Sequence, residues 1–446
     1  MDNEFSCTLV DRAQLASHPR AGPMPHAIGR RPRLLGKPRR TQARRSRRKI
    51  SLSFHDGPIF FFPRHPRRNL RTNQPAQTIA PRRFEQPPAP ASDDQGRPMF
   101  KAFISTPLED AQVARIRAAA AGDVEVIFEP DLLPPTRYVA DHKGPDGWER
   151  TAEQKHRFHA RLAEADFLWD LPPLHMLPAQ DMSFAPNLKW VQTTSSGVGP
   201  MVEALNMKGS GVTVTTARGV HAVPLAEFTL MALLMHFKDV RHLRRQQAAH
   251  RWERYCGDGL EGKLVAIVGA GEVGRRVAEI CKFHGMRIAA MSRSLTTAAA
   301  AKLGYDEIFR TSDLTEIAGR ADAMVLCVPH TRETEGMISR EVIAAMRPET
   351  VLVNIARGQV VDEAALAEAL AQGRPGFAAL DVAAVEPLPA TSPLWDLDNV
   401  LISPHSASTV QRENALIADL FIHNMRCLVE GRTGELRNAF DMDGMY

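Results

Sequence analysis

Three polar side chains stand where apolar runs of the chain end. Arg357 follows "VLVNIA", Glu386 lies just beyond "ALDV", and His405 closes "VLISPH". A guanidinium keeps its charge inside a protein, so one at the mouth of a core strand needs an anion to meet. An imidazole can give and recover a proton near neutral pH. A carboxylate beside it favours the charged ring and fixes its orientation. The three types together suit reduction of a 2-oxo acid: Arg357 grips the carboxylate and polarises the carbonyl, His405 protonates the oxygen, and Glu386 tunes His405. Singly, each has a plainer reading, as a surface ion pair, a loop acid and a capped strand end. Their shared position argues otherwise, because the carboxyl ends of strands in an open parallel sheet form its ligand crevice.

A phosphate cradle precedes them. "VAIVGAGEVGRRVAEI" reads as a buried strand, then Gly269, Gly271 and Gly274 in the GxGxxG pattern, with Glu272 and Val273 opening a helix. In that context Gly269 permits a tight turn, Gly271 lets a pyrophosphate approach the backbone, and Gly274 lets helix and strand pack closely. A dinucleotide is the expected cofactor. NAD-binding folds usually end the second strand with an acid that takes the ribose 2′-hydroxyl. Here "MRIAAMSRS" ends in Ser292, Arg293 and Ser294, which suit a 2′-phosphate. The expectation is NADP(H) in preference to NAD(H), with NAD(H) possible. The alternative is that Arg293 is a solvated loop charge.

The elements that must position these groups follow from hydrophobic patterning. From Met99, "KAFIST", "VEVIF", "ADFLWD", "KWVQTT" and "VTVTTA" read as strands, with helices near 107–120 and 151–164. One long helix is expected in "VPLAEFTLMALLMHFKDVRHLRRQQ". Beyond it "KLVAIVGA", "MRIAAMSR", "DAMVLCVP", "TVLVNIA", "GFAALDV" and "VLISPH" are strands separated by helix-length segments. Near-continuous apolar strands alternating with helices predict parallel sheets covered on both faces. A last helix near 410–431 is expected to pack back on the first lobe.

Composition sets the outer bounds. Residues 1–98 carry 20 Lys+Arg against 7 Asp+Glu, leaving 36 basic and 44 acidic residues in the remainder. The body is therefore acidic, and the overall net charge of +5 gives no reason to expect nucleic-acid binding by it. The first segment, with 14 of the 32 prolines, reads as a disordered extension. It could be a basic tail for an acidic partner, a transit peptide, or translated upstream sequence ahead of Met99. The last is favoured because a strand and an amphipathic helix begin at Met99, and N-terminal sequencing of the native protein decides it. The five cysteines form no CxxC pair, so neither a metal site nor a disulfide framework is expected. No apolar run approaches the roughly 20 residues that cross a bilayer. The body reads as cytoplasmic, without membrane contact.

Residues 99–446 resemble the D-isomer-specific 2-hydroxyacid dehydrogenases, in the branch of glyoxylate/hydroxypyruvate reductases and phosphoglycerate-dehydrogenase-like proteins. The likeness runs through "LKWVQTTSSGVG", "RGVHAVPLAEFTLMALL", "VNIARGQVVDEAAL" and "ALDVAAVEPLPATSPLWDLDNVLISPHSA". It implies an α/β fold of two Rossmann-like lobes: a doubly wound, parallel-sheet nucleotide domain, 218–407, inserted into a smaller flavodoxin-like substrate domain, 99–217 completed by 408–446. It implies that Ser196, Gly197 and Val198 offer backbone N–H groups to the substrate carboxylate beside Arg357. By the same resemblance, Ala356 and Asp381 lie by the nicotinamide and Thr331, in "CVPHT", by the adenosine. The substrate is a small 2-oxo or 2-hydroxy acid, and the long helix after residue 222 carries a homodimer contact. Two residues depart from the family pattern, Ser292 in place of aspartate and His330 in place of leucine, while His221 is expected to be structural. A dinucleotide-sensing interaction protein, like the C-terminal-binding-protein corepressors, shares the fold and the three polar residues and remains the alternative.

Overall fold

The computed structural model describes residues 99–293 and 295–444. The expectations for the segment 1–98 and for Ser294 lie outside the described residues. The first sheet is built from β1 (Phe100–Ile104), β2 (Val124–Ile127), β3 (Phe167–Trp169), β4 (Trp190–Gln192) and β5 (Thr213–Thr215). Its strands are all parallel, in the order β2-β1-β3-β4-β5, which is the flavodoxin-like order.

The second sheet holds β6 (Leu264–Val268), β7 (Arg287–Met291), β8 (Glu307–Phe309), β9 (Ala323–Leu326), β10 (Val351–Asn354), β11 (Phe377–Leu380) and β12 (Val400–Ile402). The order β12-β11-β10-β9-β6-β7-β8, again all parallel, is that of doubly wound dinucleotide folds with one strand more. Apolar residues on both sides of its strands feed two separate cores, one per face. That is why β6 reads as an unbroken apolar run: all five of its residues are buried. The short β8 is not announced by such a run, since only Phe309 of its three residues is buried.

The long helix expected after residue 222 is two helices, Ala222–Phe237 and Val240–Ala248. They break at Asp239, which adopts φ 45° and accepts a hydrogen bond from His242 N with its carboxylate. A short acid that caps the next helix competes with helix continuation, so the apolar pattern overran the true boundary. The last helix, Glu413–Val429, lays Ile417, Ala418, Phe421 and Met425 against Val113 and Ile116 of the helix Asp110–Ala120. Phe421 also meets the rings of Trp190 (4.8 Å between centroids) and Trp169 (5.7 Å). The chain therefore leaves the first sheet, builds the second and returns. Where it leaves and returns, His221 Nε2 sits 3.2 Å from the buried Glu413, in keeping with a structural role. Among the described residues, no helix is long and apolar enough to cross a membrane.

Candidate active site

The glycine loop joins β6 to the helix Glu272–Phe283, with Gly271 at the helix N-cap. It lies at the switch point of the sheet, where β6 is flanked by β9 on one side and β7 on the other. Gly269 has φ 115°, and a Cβ there would sit 2.9 Å from the Cys327 carbonyl carbon at the end of β9. A Cβ on Gly274 would overlap Gly269 O and approach Ile267 Cγ2 at 3.0 Å, so only glycine lets this helix pack so close. Gly271 instead faces open space. A tight turn, a clear central glycine and a helix start aimed at the gap fit a nicotinamide dinucleotide pyrophosphate. Across the gap Thr331 N donates to Thr334 Oγ1 at 2.8 Å, shaping the loop after β9, and His330 Nε2 lies 3.8 Å from Glu335.

Arg357, Glu386 and His405 follow β10, β11 and β12, three consecutive strands in register at Asn354, Leu380 and Ile402. Strand spacing alone therefore sets their segments within about 10 Å of each other. Arg357 is presented by a turn that Asn354 closes: its amide donates to Arg357 O and its carbonyl oxygen accepts from Ala356 N, both at 3.1 Å. Asn354 is 1% exposed, and its polar atoms are spent on this turn. Gly358 comes next, where a Cβ would overlap the Ala383 carbonyl and Ala384 N. The Arg357 segment thus lies backbone to backbone on the loop that carries Glu386.

His405 Nδ1 lies 2.9 Å from Glu386 Oε2, and Glu386 Oε1 accepts from Ala383 N at 3.2 Å. A carboxylate only accepts, so Nδ1 carries the proton of this contact and Nε2 is the ring nitrogen that Glu386 does not engage. His405 has φ 54°, a costly conformation for a residue with a Cβ. Asp381 holds it there. This buried residue accepts from Ser403 Oγ (2.6 Å), Ser406 N (2.9 Å) and Ala407 N (2.9 Å), while its carbonyl accepts from His405 N at 2.8 Å. Sequence reasoning set Asp381 beside a cofactor; its place in this turn was not legible, although an Asp ending a fully apolar strand is a signal that buried donors await it.

The first sheet supplies the facing wall. A Cβ on Gly197 would overlap Arg357 Nη2 and lie 3.4 Å from its Cζ, so the "SSGVG" turn and the guanidinium touch across the lobes. Gly197 N donates to Ser195 Oγ at a long 3.3 Å, and Val198 caps the short helix Gly199–Ala204. Ser196 is exposed and Val198 buried. Behind the turn, the buried Asp170 accepts from Thr194 N (3.1 Å) and Thr194 Oγ1 (2.8 Å). A cavity of about 320 Å³ lies between Tyr138 and Val139 and the residues that follow His405, namely Ser406, Thr409, Val410 and Gln411. The loop that carries Tyr138 is locked by buried Asp141, whose carboxyl is pushed up by burial but driven well below the usual range by the Arg137 side chain and three backbone N–H groups. A larger cavity of about 610 Å³ borders Glu349, Gly376 and Asn399, at the amino ends of β10, β11 and β12. It is on the wrong edge of the sheet for this chemistry.

At the end of β7, Ser292 is half-buried and accepts from Leu295 N at 3.1 Å, while Arg293 is exposed. Arg310, at the end of β8, donates to the carbonyls of Ser292 and Leu295. Its part in this turn was not anticipated, because β8 itself was not.

Residues 230–407 match the sequence profile of the D-isomer specific 2-hydroxyacid dehydrogenase NAD-binding domain. Glyoxylate/hydroxypyruvate reductase B of Pectobacterium carotovorum is 32% identical over 260 residues, covering 57% of this chain and 80% of the reductase. D-3-phosphoglycerate dehydrogenase of Mycobacterium leprae is 34% identical over 303 residues, 67% of this chain, which spans only about half of that enzyme (54%). Among solved structures, a D-isomer specific 2-hydroxyacid dehydrogenase from Xanthobacter autotrophicus, in complex with NADPH and MES, superimposes with a TM-score of 0.59 at 26% identity. It covers 78% of this chain and 99% of its own. With two parallel sheets, a glycine cradle and a matching nucleotide domain, the chain belongs to the D-isomer-specific 2-hydroxyacid dehydrogenase family.

Proposed function

We propose that this chain is an NADPH-preferring reductase of small 2-oxo acids, glyoxylate or hydroxypyruvate among them, acting as a homodimer in the cytoplasm. The reading rests on one observation above the others: His405 Nδ1 is engaged by Glu386 at 2.9 Å on the sheet edge where Arg357 stands two strands away. Arg357 binds the substrate carboxylate, and its guanidinium draws charge onto the 2-oxo oxygen. His405 Nε2 gives that oxygen its proton, and Glu386 carries the opposite charge that steadies the imidazolium before transfer. Bound dinucleotide supplies the hydride. Ala356 and Asp381 border the nicotinamide, and Thr331 the adenosine. Ser196, Gly197 and Val198 close over the carboxylate.

The NADPH preference is supported by Ser292 and Arg293 standing where an acid would select NADH, and by the NADPH bound to the Xanthobacter relative. The homodimer is supported by Val223, Met231, Leu243, Tyr255 and the wholly exposed Trp252, large apolar groups turned outward along the two helices and the segment after them. Loss of reduced-cofactor absorbance on adding glyoxylate, hydroxypyruvate or phenylpyruvate, with NADPH and then NADH, tests the activity. No turnover across the panel, alongside tight cofactor binding, would instead favour a dinucleotide sensor. Light scattering of the purified chain tests the dimer, and a monomer mass removes it.

A further inference from the structure

We propose that Arg310 is a cofactor-selectivity residue that acts by clamping the β7 turn into an anion-binding shape. The inference rests on the NADPH reading above and adds a residue that the β7 sequence does not contain. One guanidinium spans both ends of the turn: Nη1 donates to Ser292 O, and Nη2 to Leu295 O at 3.5 Å. From within, Ser292 Oγ accepts from Leu295 N at 3.1 Å. The clamp is itself anchored, because Arg310 N donates to Asp313 Oδ2 at 2.7 Å.

A trans peptide sets its C=O and N–H on opposite sides. With the Ser292 carbonyl drawn to Arg310, the Arg293 N–H is turned to the far side of the turn, and the Leu295 carbonyl is likewise withdrawn from it. A turn that presents the Arg293 N–H and withdraws these two carbonyls favours an anion. Released, the same carbonyls are free to rotate toward a phosphate and repel it. Arg310 also brings a positive charge to the turn that carries Arg293. The Glu333 carboxyl is held below its ordinary range first by the Thr331 hydroxyl and its own amide, and then by the charges of Arg293 and Arg332. A 2′-phosphate gains from this surplus of positive charge, whereas a neutral 2′-hydroxyl gains little.

Calorimetric titration of NADP+ and NAD+ into the wild type, Arg310→Met and Arg310→Lys tests the idea. The readout is the ratio of the two affinities. Arg310→Met is expected to weaken NADP+ binding about tenfold, as the released carbonyls turn toward the 2′-phosphate, and NAD+ binding by less than about twofold. Arg310→Lys should rescue little, because one ammonium does not bridge two carbonyls as a fork does. An unchanged ratio in Arg310→Met overturns the proposal, as does an equal loss for both dinucleotides or full rescue by lysine. The wild-type ratio alone judges the NADPH reading, so either idea can fail without the other.

Discussion

Replacing Gly197 with alanine should disable substrate binding without unfolding anything. A Cβ there would overlap Arg357 Nη2, the far end of a flexible side chain. Carbon and nitrogen need roughly 3.5 Å, so the guanidinium must retreat by about 1 Å. Its anchor to the Ala356 carbonyl, a 2.7 Å bond from Nη1, resists but does not prevent this. Gly197 is exposed and does not occupy the left-handed region, so the methyl brings no backbone strain. Stability should stay within about 0.5 kcal/mol of wild type, as for most surface changes. Catalysis should suffer more, because a misplacement of about 1 Å can cost up to roughly 100-fold. We expect kcat/KM for hydroxypyruvate to fall about 10- to 100-fold, or ~1.4–2.7 kcal/mol of transition-state stabilisation. Steady-state kinetics with parallel thermal melts measure both. A kcat/KM within twofold of wild type would refute the claim that Arg357 works from this contact.

His405→Ala should abolish reduction while cofactor affinity, followed by fluorescence titration, stays nearly intact; Arg357→Ala should raise KM strongly. Unchanged kcat/KM in either breaks the assignment. Gly358→Ala should cost ~1–3 kcal/mol in denaturant melts, because the overlapped atoms are the Ala383–Ala384 backbone and cannot yield cheaply. Asp381→Ala strands three donors of the His405 turn, so kcat should collapse with a stability loss of ~1–3 kcal/mol; retention of wild-type kcat would show that the turn holds without it. Tyr138→Ala should raise KM for phenylpyruvate more than for glyoxylate, because Tyr138 walls the cavity beyond His405. Equal shifts for both substrates would remove that cavity from the substrate path.

Hydrophobic patterning and glycine spacing by themselves determined the α/β class, eleven of the twelve strands among the described residues, and the glycine cradle. They could do so because strands buried on both faces must be apolar throughout, and a pyrophosphate turn demands glycine at fixed spacing. Patterning also put Arg357, Glu386 and His405 at strand ends, and a parallel sheet turns equal ends into one edge. It could not see the break at Asp239 or the three-residue β8, because a capping side chain and a half-buried strand leave little periodic signal. Only the tertiary structure decided who touches whom: Glu386 on His405 Nδ1, Gly197 against Arg357, Asp381 under the His405 turn, Arg310 across the β7 turn. Those partners are 15 to 160 residues apart in the chain. A hydrogen bond depends on ångströms and angles that residue spacing along the chain does not carry.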